Sequence, residues 1–238
     1  MPDKVVLINP VIKHYNAEVV DDLRSGMRDD VLMPAAETEV GQSLVSIFED
    51  LSYKLRLFPC LGVKKDYALK GYIWDYRLSM GEEEGVVWAM PKNTLLPDNP
   101  THIGYKPPEA RDNIMEVIEG DGSLWSYLCA SVFSRTMADF GLSGHSLTLE
   151  MGYIIGNDFR QSPEDYRSLD DFEWHEPRPL NFDPEVKREN NIITVTLHTY
   201  KDYAPGKLTR FVDVYGHKSY CFKREETVIA EDGGILCL

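Results

Sequence analysis

Apolar and polar positions along the last fifth of the chain alternate in a way that predicts three antiparallel strands. Asn191 to Tyr200 is rich in β-branched residues, and the turn signal Ala204-Pro205-Gly206-Lys207 separates it from a second run, Leu208 to Tyr215. Closing that loop symmetrically about Pro205 and Gly206 sets Leu197 against Val214, Thr199 against Val212, His198 against Asp213 and Tyr200 against Phe211. Apolar then meets apolar. A loop one residue different would instead turn the Leu197, Val195 and Ile193 row toward Phe211 and Asp213. L-proline and glycine alone make a two-residue turn of the wrong twist, so a four-residue loop with the same pairing is expected. In the next turn, Tyr215-Gly216-His217-Lys218, glycine stands at the first central position, as a type II′ hairpin requires. That turn leads into Ser219 to Lys223 and sets Asp213 against Tyr220, Val212 against Cys221 and Phe211 against Phe222.

The remaining pattern predicts a mixture of helix and strand. Val5 to Ile8 reads as an edge strand, and Asn16 as the cap of a short helix bearing Val19, Val20, Leu23 and Met27. Val40, Leu44, Ile47, Phe48 and Leu51 follow helical spacing and predict a helix over Glu39 to Tyr53. Leu55 to Phe58 reads as a strand, and Leu69 to Ser79 with Gly85 to Met90 as a hairpin around a Gly81 to Gly85 loop. Five prolines between Pro91 and Pro108 predict a surface loop or lid. The strongest helix runs from Leu124 to Phe140, with Ser123 as its cap and Gly141 as its stop. Ser146 to Ile155 alternates as a strand. From Gln161 to Asn190 the chain is acidic and proline-interrupted, which predicts a long loop with one helical turn over Pro163 to Ser168.

Taken together, these elements predict an α+β domain over residues 1–238: one strongly bent antiparallel sheet or partial β-barrel with two main packed helices, and with lid or surface loops at 91–108 and 161–190. No shift in composition divides the chain.

Charge narrows the partners. The 238 residues carry 39 acidic and 25 basic side chains, for a formal net charge of -14. Nucleic-acid binding draws on clustered lysine and arginine, and the basic pairs Lys64-Lys65, Lys187-Arg188 and Lys223-Arg224 each sit beside acids. Nucleic acid and anionic membrane surfaces are therefore disfavoured. No stretch approaches eighteen apolar residues, and the apolar core after Met-Pro-Asp-Lys is too short for a signal peptide, so a cytoplasmic protein is expected. Cys60, Cys129, Cys221 and Cys237 lack CxxC spacing and read as reduced thiols.

The chemistry follows from the strand count. His198, Asp213 and Tyr220 would stand side by side on one face, beside a row of Tyr200, Phe211 and Phe222. Opposed side chains have Cβ atoms about 5 Å apart, close enough for a carboxylate to orient an imidazole. This predicts a cofactor-free enzyme working by proton transfer on a small organic molecule, of lyase, isomerase or cyclase type. His198 is base or acid, Asp213 its orienter, and Tyr220 a proton donor or oxyanion stabiliser. Tyr200, Phe211 and Phe222 form the binding floor, and Trp174, His175 and Arg178 belong to the lid. The plainer alternative is a satisfied hydrogen-bond cluster.

No metal site is expected, because His145 and Glu150 fall on opposite faces of a strand and His217 lies in a turn. Nucleophile elbows, Walker loops and dinucleotide fingerprints are absent from the sequence, which disfavours ATP and nicotinamide chemistry. The rival from another class is an acidic, immunity-type binding protein that masks a basic partner surface through residues 161–190. A homodimer through edge strands stays open.

Overall fold

The computed structural model describes residues 3–7, 33–34, 44–45, 48–58, 60–76, 82–97, 100, 105–138, 140, 153–157, 159, 169–201 and 205–232. Along the chain come β1 (Asp3–Leu7), β2 (Met33–Pro34), β3 (Leu44–Val45), β4 (Glu49–Asp50), β5 (Leu61–Val63), β6 (Tyr67–Tyr76), β7 (Glu82–Pro91) and β8 (Ile118–Gly120). Helix α1 (Leu124–Ala138) follows, then β9 (Tyr153–Ile155), β10 (Glu173–Trp174), β11 (Glu185–Glu189), β12 (Ile192–Lys201), β13 (Lys207–Tyr215) and β14 (Phe222–Glu231). Short 3-10 helices cover Ser52–Leu57, Ile114–Val117 and Leu169–Asp171. The contacts divide into two compact units, one of Met1–Ala17, Thr148–Lys218 and Phe222–Leu238, the other of Glu18–Leu147 and Ser219–Cys221.

The first unit is a seven-stranded antiparallel sheet in the order β1-β11-β12-β13-β14-β10, with β9 also paired to β12. Strand β11 lies where a loop was expected. Its charged sequence hides a single fully buried residue, Val186, and it joins β12 through Asn190 and Asn191, whose φ angles are 46° and 66°. Two consecutive left-handed residues make a type I′ turn, and asparagine tolerates that conformation better than most side chains.

The β12–β13 register differs from the symmetric one. Leu197 faces Phe211, Val195 faces Asp213 and His198 faces Arg210, with the loop beginning after Lys201↔Lys207. His198 and Asp213 therefore lie on opposite faces of the sheet, because side chains along a strand alternate. Two causes are visible. The Asp232 carboxylate, at the end of β14, accepts hydrogen bonds from the Gly206 N–H (2.8 Å) and the Tyr200 hydroxyl (3.0 Å) and so holds the loop in place. A Cβ on residue 206 would stand 2.5 Å from an Asp232 oxygen, so glycine is needed there. Second, Asp213 is accommodated in the apolar Leu197 row because Arg224 stands directly across from it on β14.

The β13–β14 connection is also longer than a two-residue turn. Tyr215 faces Phe222, Phe211 faces Glu226, and residues 216–221 form the link. Tyr220 consequently leaves the sheet, and Ser219–Cys221 counts with the second unit.

In the second unit, β6 and β7 form the predicted hairpin, paired from Tyr67↔Pro91 to Tyr76↔Glu82, so strand replaces loop at 82–85. The helix expected over Glu39 to Tyr53 is not formed: β3 and β4 pair with β6, and a 3-10 helix begins at Ser52. The apolar positions of that run are consistent with a helical stripe, yet Leu44 serves a strand paired at Asp75 and Leu51 packs in the core. The same 3-10 helix replaces the strand expected at Leu55 to Phe58, and it buries Leu55. Leu51 comes so close to β6 that a Cβ on Gly71 would lie 2.5 Å from its Cδ1. Helix α1 is present as expected, capped by the Ser123 hydroxyl accepting from the Ser126 N–H (3.1 Å). Every residue from Ser126 to Phe133 is buried, so α1 is a core helix apolar on most sides rather than a striped one. The helices expected after Asn16 and over Pro163 to Ser168 lie outside the described residues.

Candidate functional site

His198 sits in the middle of β12, with Arg210 across on β13 and Ile155 across on β9. It is 5% exposed. The Phe182 carbonyl can only accept, so Nδ1 carries the proton and donates to it over 3.4 Å, while the Phe182 ring meets the imidazole edge-on at 5.3 Å. Burial pushes the imidazole below the usual histidine range, and the Arg210 guanidinium pushes the same way. The hydrogen bond to the Phe182 carbonyl opposes burial more than Arg210 assists it, and Glu185 adds a smaller upward pull, but burial prevails. The ring is therefore neutral near pH 7, with Nε2 as its lone-pair nitrogen. Arg210 itself donates to Glu176 at 2.7 Å in a half-exposed pair.

Asp213 occupies the opposite face and is 1% exposed. Arg224 grips both of its oxygens, Nε at 2.6 Å and Nη2 at 2.7 Å. The guanidinium lies over the Phe222 ring at 4.8 Å and the Phe211 ring at 5.8 Å, and Tyr215 packs on Phe222 at 4.9 Å. A bidentate fork sandwiched by aromatic faces answers the charge of a carboxylate removed from water.

Tyr220 is engaged within the second unit. Its ring stacks on Tyr127 at 4.8 Å, its hydroxyl is 2.7 Å from the Ser126 hydroxyl, and it accepts from the Gly122 N–H at 3.0 Å. The expected trio of His198, Asp213 and Tyr220 is thus split three ways. Imidazole and carboxylate are on opposite sides of one sheet, and the phenol is in another unit.

The expected floor divides as well. Tyr200 shares the His198 face and joins an apolar cluster with Phe172, Phe182, Leu208 and Trp174, whereas Phe211 and Phe222 box in Arg224. The expected lid is a sheet edge: Glu173 and Trp174 pair with Glu231 and Ala230, and the His175 N–H donates to Ile229 at 2.9 Å. Trp174 donates from Nε1 to the Leu169 carbonyl, and Arg178 lies over its ring and pairs with Asp170. His175 is 3.7 Å from Glu231.

Sequence reasoning missed Arg210, Phe182 and Arg224, while Glu176 had been a candidate of the 173–178 loop. A readable signal existed for Arg224, since a charge pair placed on adjacent strands is the least costly way to bury Asp213. Also missed was an open groove of about 560 Å³ in the second unit, lined by Ser52, Arg56, Tyr67 and Lys92 among others. Among the described residues, no three histidine, cysteine or carboxylate side chains converge on a common metal position, and no helix is long and apolar enough to cross a membrane. No protein-family model, curated protein or solved structure matches the chain.

Proposed function

We propose that the chain is an acidic binding protein that captures a basic protein partner through the stretch at 169–180. One observation carries this reading: the stretch is held rigidly while its charges face solvent. Strand β10, the Trp174 indole bond and the Arg178–Asp170 pair tie it down, and Asp170, Asp171 and Glu173 are exposed. Leu180 beside them is fully exposed. Prearranged carboxylates around an apolar tip suit a partner of opposite charge, because little ordering entropy remains to be lost on binding. The net charge of -14 favours fast encounter with such a partner.

The test uses poly-L-lysine as a cationic probe and compares two triple charge reversals. Changing Asp170, Asp171 and Glu173 to lysine should weaken binding at least tenfold, and binding to the unaltered chain should fall steeply with added sodium chloride. Changing the exposed Glu189, Glu225 and Glu226 to lysine should weaken it less than twofold. Equal losses would mean that only net charge matters and would defeat the assignment to this stretch.

A second reading keeps proton transfer on a small molecule at His198, with Arg210 and Glu176 in the places expected for Asp213 and Tyr220. The neutral, buried imidazole beside a guanidinium favours it, since such a ring can accept a proton at Nε2. Diethyl pyrocarbonate should then modify His198 in the folded chain. If His175 and His217 react while His198 stays wholly protected, the ring is sealed and this reading falls.

A further inference from the structure

Basic residues are unevenly spread along the second unit. Over positions 51–73 the chain carries five lysines and arginines against one aspartate, although the whole sequence has a formal net charge of -14. The open groove of about 560 Å³ falls in this stretch. Its walls come from the 3-10 helix Ser52–Leu57, from β5 and from the start of β6, and Lys92 joins them from the turn after β7.

Hydrogen bonds fix the backbone around the groove. The Lys64 N–H donates to the Val117 carbonyl (2.8 Å), the Tyr67 N–H to the Lys64 carbonyl (2.9 Å) and the Lys92 N–H to the Asp66 carbonyl (3.0 Å). Lys92 is thereby held beside the β5–β6 turn. In the 3-10 helix Leu55 is buried while Arg56 stays exposed. Tyr53 steadies that guanidinium: its hydroxyl donates to Glu49 at 2.8 Å, and Arg56 lies over its ring at 5.5 Å.

The lining is of two kinds. Leu55, Leu61 and Val63 are apolar, whereas Arg56, Lys92 and Tyr67 carry donors. The Tyr67 hydroxyl accepts from Arg111 Nη2 at 3.3 Å, which leaves its own proton to be donated. Asp50, the acid in the lining, is answered by the Lys70 ammonium at 3.3 Å and by the Ser52 N–H at 2.9 Å. Positive charge is left in excess, in a space of the size that takes a small organic molecule.

We propose that this groove binds a small organic phosphate monoester, the phosphate on Arg56, Lys92 and the Tyr67 hydroxyl and the apolar body against Leu55, Leu61 and Val63. Such a group carries about -1.5 to -2 charges near pH 7 and offers three terminal oxygens. That charge matches two cations, and a carboxylate matches only one. Because the groove is open, solvent screens the attraction, and a dissociation constant of about 0.1–1 mM is expected.

The experiment titrates the full chain with phenyl phosphate, inorganic phosphate, benzoate or phenol and follows the backbone amides by nuclear magnetic resonance. Phenyl phosphate should move the amides of Gly62, Val63 and Lys92 and bind about tenfold tighter than inorganic phosphate or benzoate, with phenol weaker still. Arg56→Gln and Lys92→Gln should each weaken it about fivefold and Tyr67→Phe about threefold, while Lys187→Gln and Lys223→Gln, at exposed positions of the first unit, should weaken it less than about twofold. If those three amides of the unaltered chain stay still at about 10 mM phenyl phosphate, the proposal is overturned whatever the variants do. Equal losses from all four cation changes would leave only net charge and overturn the site. Benzoate binding as tightly as phenyl phosphate would overturn the phosphate, and inorganic phosphate binding as tightly would overturn the apolar wall.

Discussion

On one face of the β12–β13–β14 sheet a full charge is kept and matched: Asp213 is withdrawn from water and held by both arms of Arg224 between aromatic rings. On the other face His198 is buried about as deeply, with a guanidinium rather than a carboxylate across from it, and it gives up its charge instead. The difference shows how the group's ordinary pKa and the partner set across from it together decide what a buried ionisable group does. A carboxylate can stay ionised in a core if a fork of donors faces it. An imidazole can stay uncharged because its ordinary value already lies near neutrality.

The largest test of this contrast is Asp213→Ala, which leaves Arg224 largely buried and unmatched. Urea unfolding should show a loss of about 3–5 kcal/mol, and the double change Asp213→Leu with Arg224→Met should recover most of it. A single-variant loss below about 1 kcal/mol would remove the contrast. Next comes Asp232→Ala, which strips the Tyr200 hydroxyl and the Gly206 N–H of their acceptor and should cost about 1–3 kcal/mol. That carboxylate anchors the loop that decides which residues occupy which face.

A smaller effect concerns pH. His198 has a lower proton affinity folded than unfolded, so the unfolded chain binds protons first as pH falls below the ordinary histidine value of 6.5. The contribution is fully present above that value and shrinks as pH drops toward the folded one. His198→Gln should flatten the dependence of the urea midpoint between pH 7.5 and 5 relative to the parent chain. A parent midpoint that rises on acidification, and stops rising in the variant, would show a charged imidazole. The smallest effect is at Arg210 and Glu176. A double-mutant cycle on this half-exposed pair should give under about 1 kcal/mol, less still in high salt. Arg210→Ala should also raise the His198 titration seen by nuclear magnetic resonance, since the guanidinium opposes protonation.

Local signals were legible in the chain. Helix α1 was readable from its cap and length, the β6–β7 hairpin from its apolar runs, and β12 and β13 as strands from their β-branched and aromatic content. What escaped was set by residues distant in sequence. The loop after Lys201 takes its register from Asp232, about thirty positions away, and Asp213 joins an apolar row only because Arg224 arrives from another strand. The apolar stretch before Tyr53 satisfies helical spacing, but its neighbours Trp74 and Asp75 offer it a strand partner. Strand β11 was missed because four of its five residues are charged, although the Asn190-Asn191 turn beside it was a usable marker. The candidate site depended on register from the outset, so it inherited the one quantity that local counting determines least well.

The short β10 has a further effect on how the sheet ends. It closes β14 only at Ala230 and Glu231, leaving residues 222–228 with no neighbour beyond β13 among the described strands. That open length carries Lys223, Glu225 and Glu226, exposed charges of both signs. An incoming chain would have to desolvate those charges to extend the ladder, so this margin discourages fibril-like growth and runaway self-pairing.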